Sequence, residues 1–339
     1  MKIAVIGVSN NLGRQLLNSL ASEYFAVENV VGLDLKNEIG REISFGDEDI
    51  LVVQDLNKYD FLDCQIVIST FRNYAVSEKY IEKAVENDCI IIDCSGHFNN
   101  DAEIPMIIPE INANELSKVK EKRIIANPTD TVIQLALALN PLNQVAKIKR
   151  IVLSTYQAVS SLGKEAMDEL FNNTKKIYEN EFLPAEHFSK QIPFNVIPQV
   201  GLPAENGYYD GEKSLINEIH RLFGKNVGVS ATCARVPVFT GNSESVNIEF
   251  ESHICEHEIE EIYENDENIM IFDRYEENIF ATPLESALEK VIFVSRIRKD
   301  FSVENGINMW IVADNMVAGS TLNIVKIVEL LIKNKEEYF

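Results

Sequence analysis

The sequence predicts an α/β protein of two domains, a mainly parallel sheet domain and an α+β domain. Its 339 residues exceed what one compact core usually organises. Short apolar strands alternate with amphipathic helices in the first half, whereas longer β-prone segments follow from Lys149 onward. Alternation of strands and helices predicts a parallel sheet, because each helix returns the chain to the same edge.

The elements of the first half follow from its apolar pattern. Leu12, Leu16 and Leu20 recur at helical spacing, which predicts a helix that packs one face against the sheet. We expect three strands and two helices, at Lys2–Gly7, Gln65–Ser69, Cys89–Asp93, Leu12–Leu20 and Ser77–Val85.

The second half contains strands separated by helices, and then an apolar helix at the C-terminus. We expect the strands at Ile151–Ala158, Val227–Ser230, Ser245–Phe250 and Met309–Val312, and the helix at Thr321–Asn334. The last helix is expected to return to the first domain. The predicted domains are therefore residues 1–130 with 320–339, and residues 131–319.

The charge balance argues against polyanionic partners. Asp and Glu number 53 against 31 Lys and Arg, giving a formal charge of -22, so nucleic acid and anionic membrane surfaces would be repelled. The acidic excess between Glu249 and Glu277 is interpreted as solvated surface, and no metal site is expected. We also expect no apolar run of membrane-spanning length.

Cysteine usage favours a reducing compartment. The five cysteines form no CxxC pair, and an odd number does not fit a complete disulfide framework. The N-terminus reads as a strand and not as a signal peptide. The sequence therefore predicts a cytoplasmic protein.

A glycine turn follows the first predicted strand. Gly7 and Gly13 bracket the turn before a helix, where Rossmann-type domains place the pyrophosphate of a dinucleotide. The middle glycine of that pattern is replaced by Asn10, whose side chain stands where phosphate approaches the backbone. The turn predicts an NAD- or NADP-binding domain with weakened affinity.

Asp34 follows a further predicted strand, Val30–Leu33. An acidic residue there holds the ribose hydroxyls of NAD and repels the 2′-phosphate of NADP. Asp34 could instead simply end the strand, and both interpretations remain open. If a dinucleotide binds, Asp34 favours NAD.

Four long segments, with the N-terminal strand, turn and helix, carry a resemblance to a known family. They occur in the order of that family and span nearly the whole chain; they are Ile124–Leu142, Ser154–Thr174, Ser230–Glu249 and Phe293–Asn315. The chain resembles aspartate-semialdehyde dehydrogenase. The resemblance implies a Rossmann-type dinucleotide-binding domain plus an α+β dimerisation and substrate domain.

The resemblance also implies a reaction and the residues that it needs. The family converts aspartate semialdehyde, phosphate and NADP reversibly to aspartyl phosphate and NADPH, through a cysteine thiolate and a proton-transferring histidine. Asp130 stands at the cysteine position, and Asn242 stands at the histidine position. An amide cannot act as a general base. Asp130 is more simply explained as the N-cap of the following helix.

Several binding positions of the family are kept and others are changed. Asn127, Gln157 and Arg235 match family positions, and Arg235 corresponds to the arginine that grips the substrate carboxylate. A buried ion pair is the alternative role for Arg235. Asn99 and Thr129 replace an arginine and an asparagine of the phosphate site. The resemblance therefore implies a carboxylate pocket with poor phosphate binding.

Two functional hypotheses remain from the sequence. The first is a catalytically inactive homologue, or pseudoenzyme, that forms a homodimer or homotetramer, or pairs with an active relative, and binds a small molecule. The second is an NAD(P)-dependent oxidoreductase with aspartate-semialdehyde dehydrogenase activity in lysine, threonine and methionine biosynthesis, acting by an altered mechanism. Loss of both the nucleophile and the base favours the first, because catalytic groups act as a unit.

Overall fold

A computed structural model describes residues 1–23, 25–181 and 183–339 and divides the chain into two units. The first unit is Met1–Thr129 with Ser320–Phe339, and the second is Asp130–Gly319. Asp130 thus belongs to the second unit and not to the first. The fold class predicted from the sequence is confirmed, with a parallel sheet in one unit and a mixed sheet in the other.

The N-terminal part of the first unit alternates strands and helices. Its elements are β1 (Ile3–Ile6), α1 (Asn11–Ser22), β2 (Val30–Asp34), β3 (Glu42–Phe45), β4 (Asp49–Val52), β5 (Gln54–Asp55), β6 (Ile66–Ser69), α2 (Tyr74–Glu86), β7 (Ile90–Asp93), α3 (Pro109–Asn112), α4 (Val119–Lys122) and β8 (Ile124–Ala126).

The central sheet of this unit has six parallel strands in the order β5-β2-β1-β6-β7-β8. β1, β6 and β7 are buried along their whole length, which explains their unbroken apolar sequences. The strand order reverses between β1 and β6. Open α/β sheets bind ligands beyond the carboxyl ends of the strands at such a reversal.

The second unit contains longer strands and most of the long helices. Its elements are α5 (Asp130–Val145), β9 (Ile148–Gln157), α6 (Lys164–Tyr178), α7 (Asp210–Phe223), β10 (Gly228–Arg235), β11 (Asn242–Phe250), α8 (Glu256–Glu264), β12 (Ile269–Ile271), β13 (Asp273–Arg274), β14 (Ile279–Phe280), α9 (Pro283–Ser286), β15 (Ile292–Asp300) and β16 (Gly306–Ala313).

The main sheet of the second unit runs β10-β9-β11-β16-β15-β12. The outer pairs β10/β9 and β12/β15 are parallel, and the inner pairs are antiparallel. Helix α5 packs against β9, β15 and β16, and its residues from Asp130 to Leu139 are all buried. Polar side chains on the first turns of α5 are therefore removed from water.

Two helices end the chain, α10 (Leu322–Lys333) and α11 (Lys335–Tyr338), and both belong to the first unit. Helix α10 packs against α1, and the Thr321 hydroxyl before it lies 3.3 Å from that of Ser19. Apolar residues of α10 face the interior, as the helical periodicity predicted.

One expectation about apolar runs is wrong. The segment Asn315–Lys333 is 19 residues long, with a mean hydropathy of 1.4, so by length and composition alone it could cross a membrane. In the part of the chain that the structure describes, 72% of its most apolar window is buried inside the protein. Core helices of globular domains have the same property, so the segment is weak evidence for a membrane.

Candidate functional site

Two glycines shape the turn between β1 and α1. Gly7 has φ of +76°, and a Cβ there would lie 2.9 Å from Thr70 Oγ1 and 3.1 Å from Phe71. A Cβ on Gly13 would lie 2.6 Å from the carbonyl oxygen of Gly7. The first glycine therefore permits the turn and the second lets α1 approach it closely, as in dinucleotide-binding turns.

Asn10 is the N-cap of α1 and has an extended backbone, with φ of −76°. Its Oδ1 accepts a hydrogen bond from the backbone N–H of Gly13 at 2.8 Å. Its Nδ2 donates to the carbonyl oxygen of Thr70 at 3.2 Å and to Thr70 Oγ1 at 3.0 Å. The side chain predicted to obstruct phosphate thus lies on the turn, and both its oxygen and its nitrogen are hydrogen-bonded.

Asp34 is the last residue of β2 and only 6% exposed. One carboxylate oxygen accepts from the backbone N–H of Ser9 at 2.9 Å, and the other accepts from that of Leu35 at 2.8 Å. Asp34 therefore fixes the glycine turn beside β2. Each oxygen retains acceptor capacity for a ribose hydroxyl, so the proposed role in binding NAD stays a prediction.

A buried acid at the same edge of the sheet was not predicted. Asp93 ends β7 next to Ser69, which ends β6, and neither side chain is exposed. Burial raises the pKa of Asp93 to about 6, although the Ser95 hydroxyl and amide donate to Oδ2. Asp93 Oδ1 and Ser69 Oγ have no hydrogen-bond partner in the described chain. The sequence signal for this buried acid was a polar residue at the end of an apolar strand.

Asn127 lies in the first unit, after β8. Its Oδ1 accepts a hydrogen bond from Asn323 Nδ2 of α10 at 2.8 Å, and its Nδ2 donates to the carbonyl oxygen of Pro128 at 3.3 Å. Asn323 also donates to the carbonyl oxygen of Ile107 at 2.9 Å. Asn127 therefore ties α10 to this unit, and its predicted substrate-binding role stays untested.

Asp130 and Asn242 meet inside the second unit. Asp130 is the first residue of α5, so the prediction that it is the N-cap is wrong by one position. Asn242 Nδ2 lies 3.4 Å from Asp130 Oδ2 and 3.4 Å from Thr131 Oγ1, and Asn242 Oδ1 accepts from the backbone N–H of Ala158 at 2.9 Å. The amide of Asn242 therefore joins the start of α5 to the end of β9.

Arg235 and Gln157 pair in register at the ends of β10 and β9. The Arg235 guanidinium donates to the carbonyl oxygen of Ala158 at 2.9 Å and contacts the Ser161 hydroxyl. Gln157 Nε2 donates to Thr155 Oγ1 at 3.2 Å. The structure thus brings Asp130, Asn242, Gln157 and Arg235 together around Ala158, and their predicted catalytic and substrate-binding roles stay predictions.

Glu244 is a buried acid in this cluster that sequence reasoning missed. It follows Asn242 by two residues on β11, and its side chain is fully buried. Burial raises the pKa of Glu244 well above its usual range, the amide of Gln134 lowers it in part, and the charge of Asp130 raises it further. Burial therefore favours the neutral form of the Glu244 carboxyl group. The sequence offered one signal for Glu244: residues two apart on a strand face the same side of the sheet, so Glu244 shares the side of Asn242.

Burial affects the pKa of four of the five described thiols. Burial raises the pKa of Cys89 to about 12 and that of Cys233 to about 11, and it raises the pKa of Cys64 and Cys94 as well. A reactive cysteine needs a lowered pKa, because the thiolate is the nucleophile. The fifth cysteine, Cys255, precedes α8 and belongs to its capping box.

Metal ligands do not converge in the residues that the structure describes. Within residues 1–23, 25–181 and 183–339, no group of three or more His, Cys, Asp or Glu side chains could hold a metal ion. Asp130 and Glu244 are the two acids of the second-unit cluster that interact electrostatically. Both carboxyl groups can take part in proton transfer and hydrogen bonding.

Family models match both units. The NAD binding domain of semialdehyde dehydrogenase matches residues 2–119, and the semialdehyde dehydrogenase dimerisation domain matches residues 139–318. Together these matches cover most of the chain.

Individual relatives align over nearly the full length. An aspartate-semialdehyde dehydrogenase of Rickettsia conorii is 42% identical over 98% of both chains. The crystal structure of aspartate semialdehyde dehydrogenase II from Vibrio cholerae, complexed with ASA, has a TM-score of 0.94 at 32% identity, covering 98% of both chains. The Candida albicans enzyme with NADP shares the fold, with a TM-score of 0.74 at 18% identity over 99% of both chains.

Proposed function

This chain belongs to the aspartate-semialdehyde dehydrogenase family, and on that premise we propose that it is a catalytically inactive member that serves as a dimeric binding or partner subunit. The observation that carries the proposal is the contact between Asp130 and Asn242, at the positions where the family has its cysteine and histidine. Neither side chain supplies a thiolate or an imidazole, so the acyl-enzyme route lacks its nucleophile and its base.

The hydrogen bonds of Asn242 support a structural role. Its Oδ1 accepts from Ala158 and its Nδ2 reaches both Asp130 and Thr131, so the amide is engaged on both sides. A buried amide with its donors and acceptor satisfied stabilises the fold, whereas it cannot accept a proton at neutral pH. The four cysteines with raised pKa offer no substitute nucleophile among the described residues.

We propose that the first unit binds a nicotinamide nucleotide weakly and prefers NAD to NADP. Gly7 and Gly13 keep the turn that would hold phosphate, and Asp34 keeps the acceptors that would hold ribose hydroxyls. A bound dinucleotide would supply hydride chemistry, but the proposed role needs only its binding. Asn10 is the residue that weakens dinucleotide binding.

The proposed partner is another copy of this chain or an active relative, bound through the second unit. The match to a dimerisation domain over residues 139–318 supports an oligomer, of which the homodimer and homotetramer are the simplest forms. The net charge of -22 supports a protein that avoids nucleic acid and anionic membranes. Buried unpaired thiols support a cytoplasmic location.

A second candidate function is an NAD(P)-dependent oxidoreductase with aspartate-semialdehyde dehydrogenase activity by an altered mechanism. The observation that favours it is Glu244, a buried acid whose pKa is raised by burial and by the charge of Asp130. Two carboxyl groups whose environments differ are a common basis for acid and base roles. In this alternative water adds to the semialdehyde carbonyl carbon, Asp130 accepts the proton that the water loses, and Glu244 protonates the carbonyl oxygen. The resulting hydrate would then pass its hydride to NAD(P)⁺ and a proton back to Glu244, which gives the carboxylic acid with no thioester formed.

The test is nicotinamide absorbance with the purified full-length protein, aspartate semialdehyde and phosphate, using NAD and NADP separately. An authentic active enzyme in the same buffer is the positive control, and Asp130→Ala is the matched variant. We expect no absorbance change above the blank for the unmodified chain or for its Asp130→Ala variant. Turnover by the unmodified chain that Asp130→Ala abolishes would instead establish the second candidate, and loss of that turnover in Glu244→Gln would assign the acid.

A further inference from the structure

We infer that Asn10 is a specificity-determining residue, because its side chain occupies the place of a dinucleotide pyrophosphate in the first unit. The inference rests on the proposed nucleotide role of this unit and deepens it. It predicts that the crevice accepts a ribonucleoside more readily than a dinucleotide.

The position of Asn10 in the sheet is the first support. The strand order reverses between β1 and β6, and a ligand of such a sheet enters the crevice at that reversal. Asn10 follows β1 and Thr70 follows β6, so the two hydrogen bonds from Asn10 Nδ2 to Thr70 span the crevice. Thr70 Oγ1 in turn donates to the carbonyl oxygens at the end of β1, those of Ile6 and Gly7.

The chemistry of the contacts is the second support. A pyrophosphate binds to free backbone N–H groups at a helix N-terminus and to glycine backbone that carries no side chain. Asn10 Oδ1 already accepts from the N–H of Gly13, at 2.8 Å. A Cβ on Gly7 would lie 3.1 Å from Asn10 Nδ2, so the amide covers the bare face of that glycine. The neutral amide thus makes contacts that a phosphate would make.

The consequence is a competition between a side chain and a ligand. A pyrophosphate must first displace the Asn10 amide, so the apparent affinity equals the intrinsic affinity multiplied by the fraction of molecules in which the amide has moved away. A nucleoside whose ribose hydroxyls reach Asp34 needs none of the N–H groups that Asn10 occupies. The obstruction therefore acts on the diphosphate and spares the nucleoside.

The experiment compares NAD and adenosine by isothermal titration calorimetry on the full-length protein and its Asn10→Gly variant. Glycine is tolerated at an N-cap, so α1 should persist. We expect the NAD affinity to rise at least about tenfold and the adenosine affinity to change less than about twofold. Asn87→Gly is the matched control. Asn87 is the C-cap of α2, and its Nδ2 donates to the carbonyl oxygen of Lys83. This variant should leave both affinities unchanged.

A second variant keeps the inference testable if Asn10→Gly folds poorly. Asn10→Asp retains the oxygen that caps α1 and adds a negative charge at the pyrophosphate position, so NAD binding should fall further while adenosine binding persists. Unchanged NAD affinity in both variants, or equal gains for NAD and adenosine in Asn10→Gly, would overturn the inference. Failure of the proposed inactivity would appear as nicotinamide turnover, which these titrations do not measure.

Discussion

The nucleotide edge of the first unit and the polar cluster of the second unit differ in what has changed. At the nucleotide edge, Gly7, Gly13 and Asp34 keep the geometry of a dinucleotide turn, and one added side chain, that of Asn10, fills it. In the polar cluster the reacting groups themselves are different, with Asp130 bonded to Asn242.

Under the proposed function, the difference teaches that binding and chemistry would be lost in different ways. An obstructed binding site can recover by removal of a few atoms, because the backbone donors are still in place. A catalytic site that lacks both its nucleophile and its base cannot be restored by a single substitution, since those groups act together. The two regions should therefore respond oppositely to substitution.

The largest effect is expected at Gly13. In Gly13→Ala the new Cβ would lie 2.6 Å from the Gly7 carbonyl oxygen and 2.7 Å from Val8 Cα, and backbone atoms cannot move aside as a flexible side chain can. We expect a loss of about 3 kcal/mol in the free energy of unfolding, measured by urea denaturation. A loss of the same size in Gly228→Ala, where the nearest atom is a side-chain carbon at 3.5 Å, would contradict this explanation.

The next effect concerns the ionisation of Asp93. Its pKa is about 6 in the folded protein against 3.8 as the reference, so the folded state binds the proton more tightly. Stability should therefore decrease as pH rises from about 4 to about 6 and then stay level, with a total cost of roughly 3 kcal/mol.

Asp93→Asn should remove this pH dependence, because an amide keeps an acceptor for Ser95 and carries no charge. Thermal unfolding of both proteins between pH 4 and pH 8 provides the measurement. Parallel curves for the variant and the parent across that range would show that Asp93 is not the titrating group. The matched control is Asp300→Asn, since Asp300 lies on the surface of the second unit and its pKa is lowered by Ser302.

The smallest effect is expected where the sequence suggests an obvious repair. The double variant Asp130→Cys with Asn242→His restores a thiol and an imidazole, but Asn99 and Thr129 still stand at the family's phosphate positions. We predict no phosphate-dependent turnover above the blank in the nicotinamide assay. Robust turnover would show that the two regions do not differ as described.

Much of the fold could be predicted from the sequence because its signals are local. Strand alternation and the apolar face of α1 located β1, α1, β6 and β7 within a few residues. The hairpin of β3 and β4 was missed, since Ile50 and Val52 are apolar yet exposed. The apolar Asn315–Lys333 run was missed because it includes polar residues at its start.

The candidate site was less predictable, because its properties depend on distant contacts. The family resemblance located Asp130, Asn242, Gln157 and Arg235, but not the contact of Arg235 with the Ala158 carbonyl oxygen. The raised pKa of Glu244 could not be recognised, since its burial depends on the packing of the second unit around β11. A sequence gives the identity of a titratable group but not its solvation.

The most direct test of the proposed structural role of Asp130 and Asn242 is a double-mutant cycle of unfolding free energies with Asp130→Ala and Asn242→Ala. A buried hydrogen bond of 3.4 Å predicts a coupling energy of about 1 kcal/mol between the two substitutions. That result would establish Asp130 and Asn242 as a stabilising pair. Losses that simply add, within about 0.3 kcal/mol, would contradict the account.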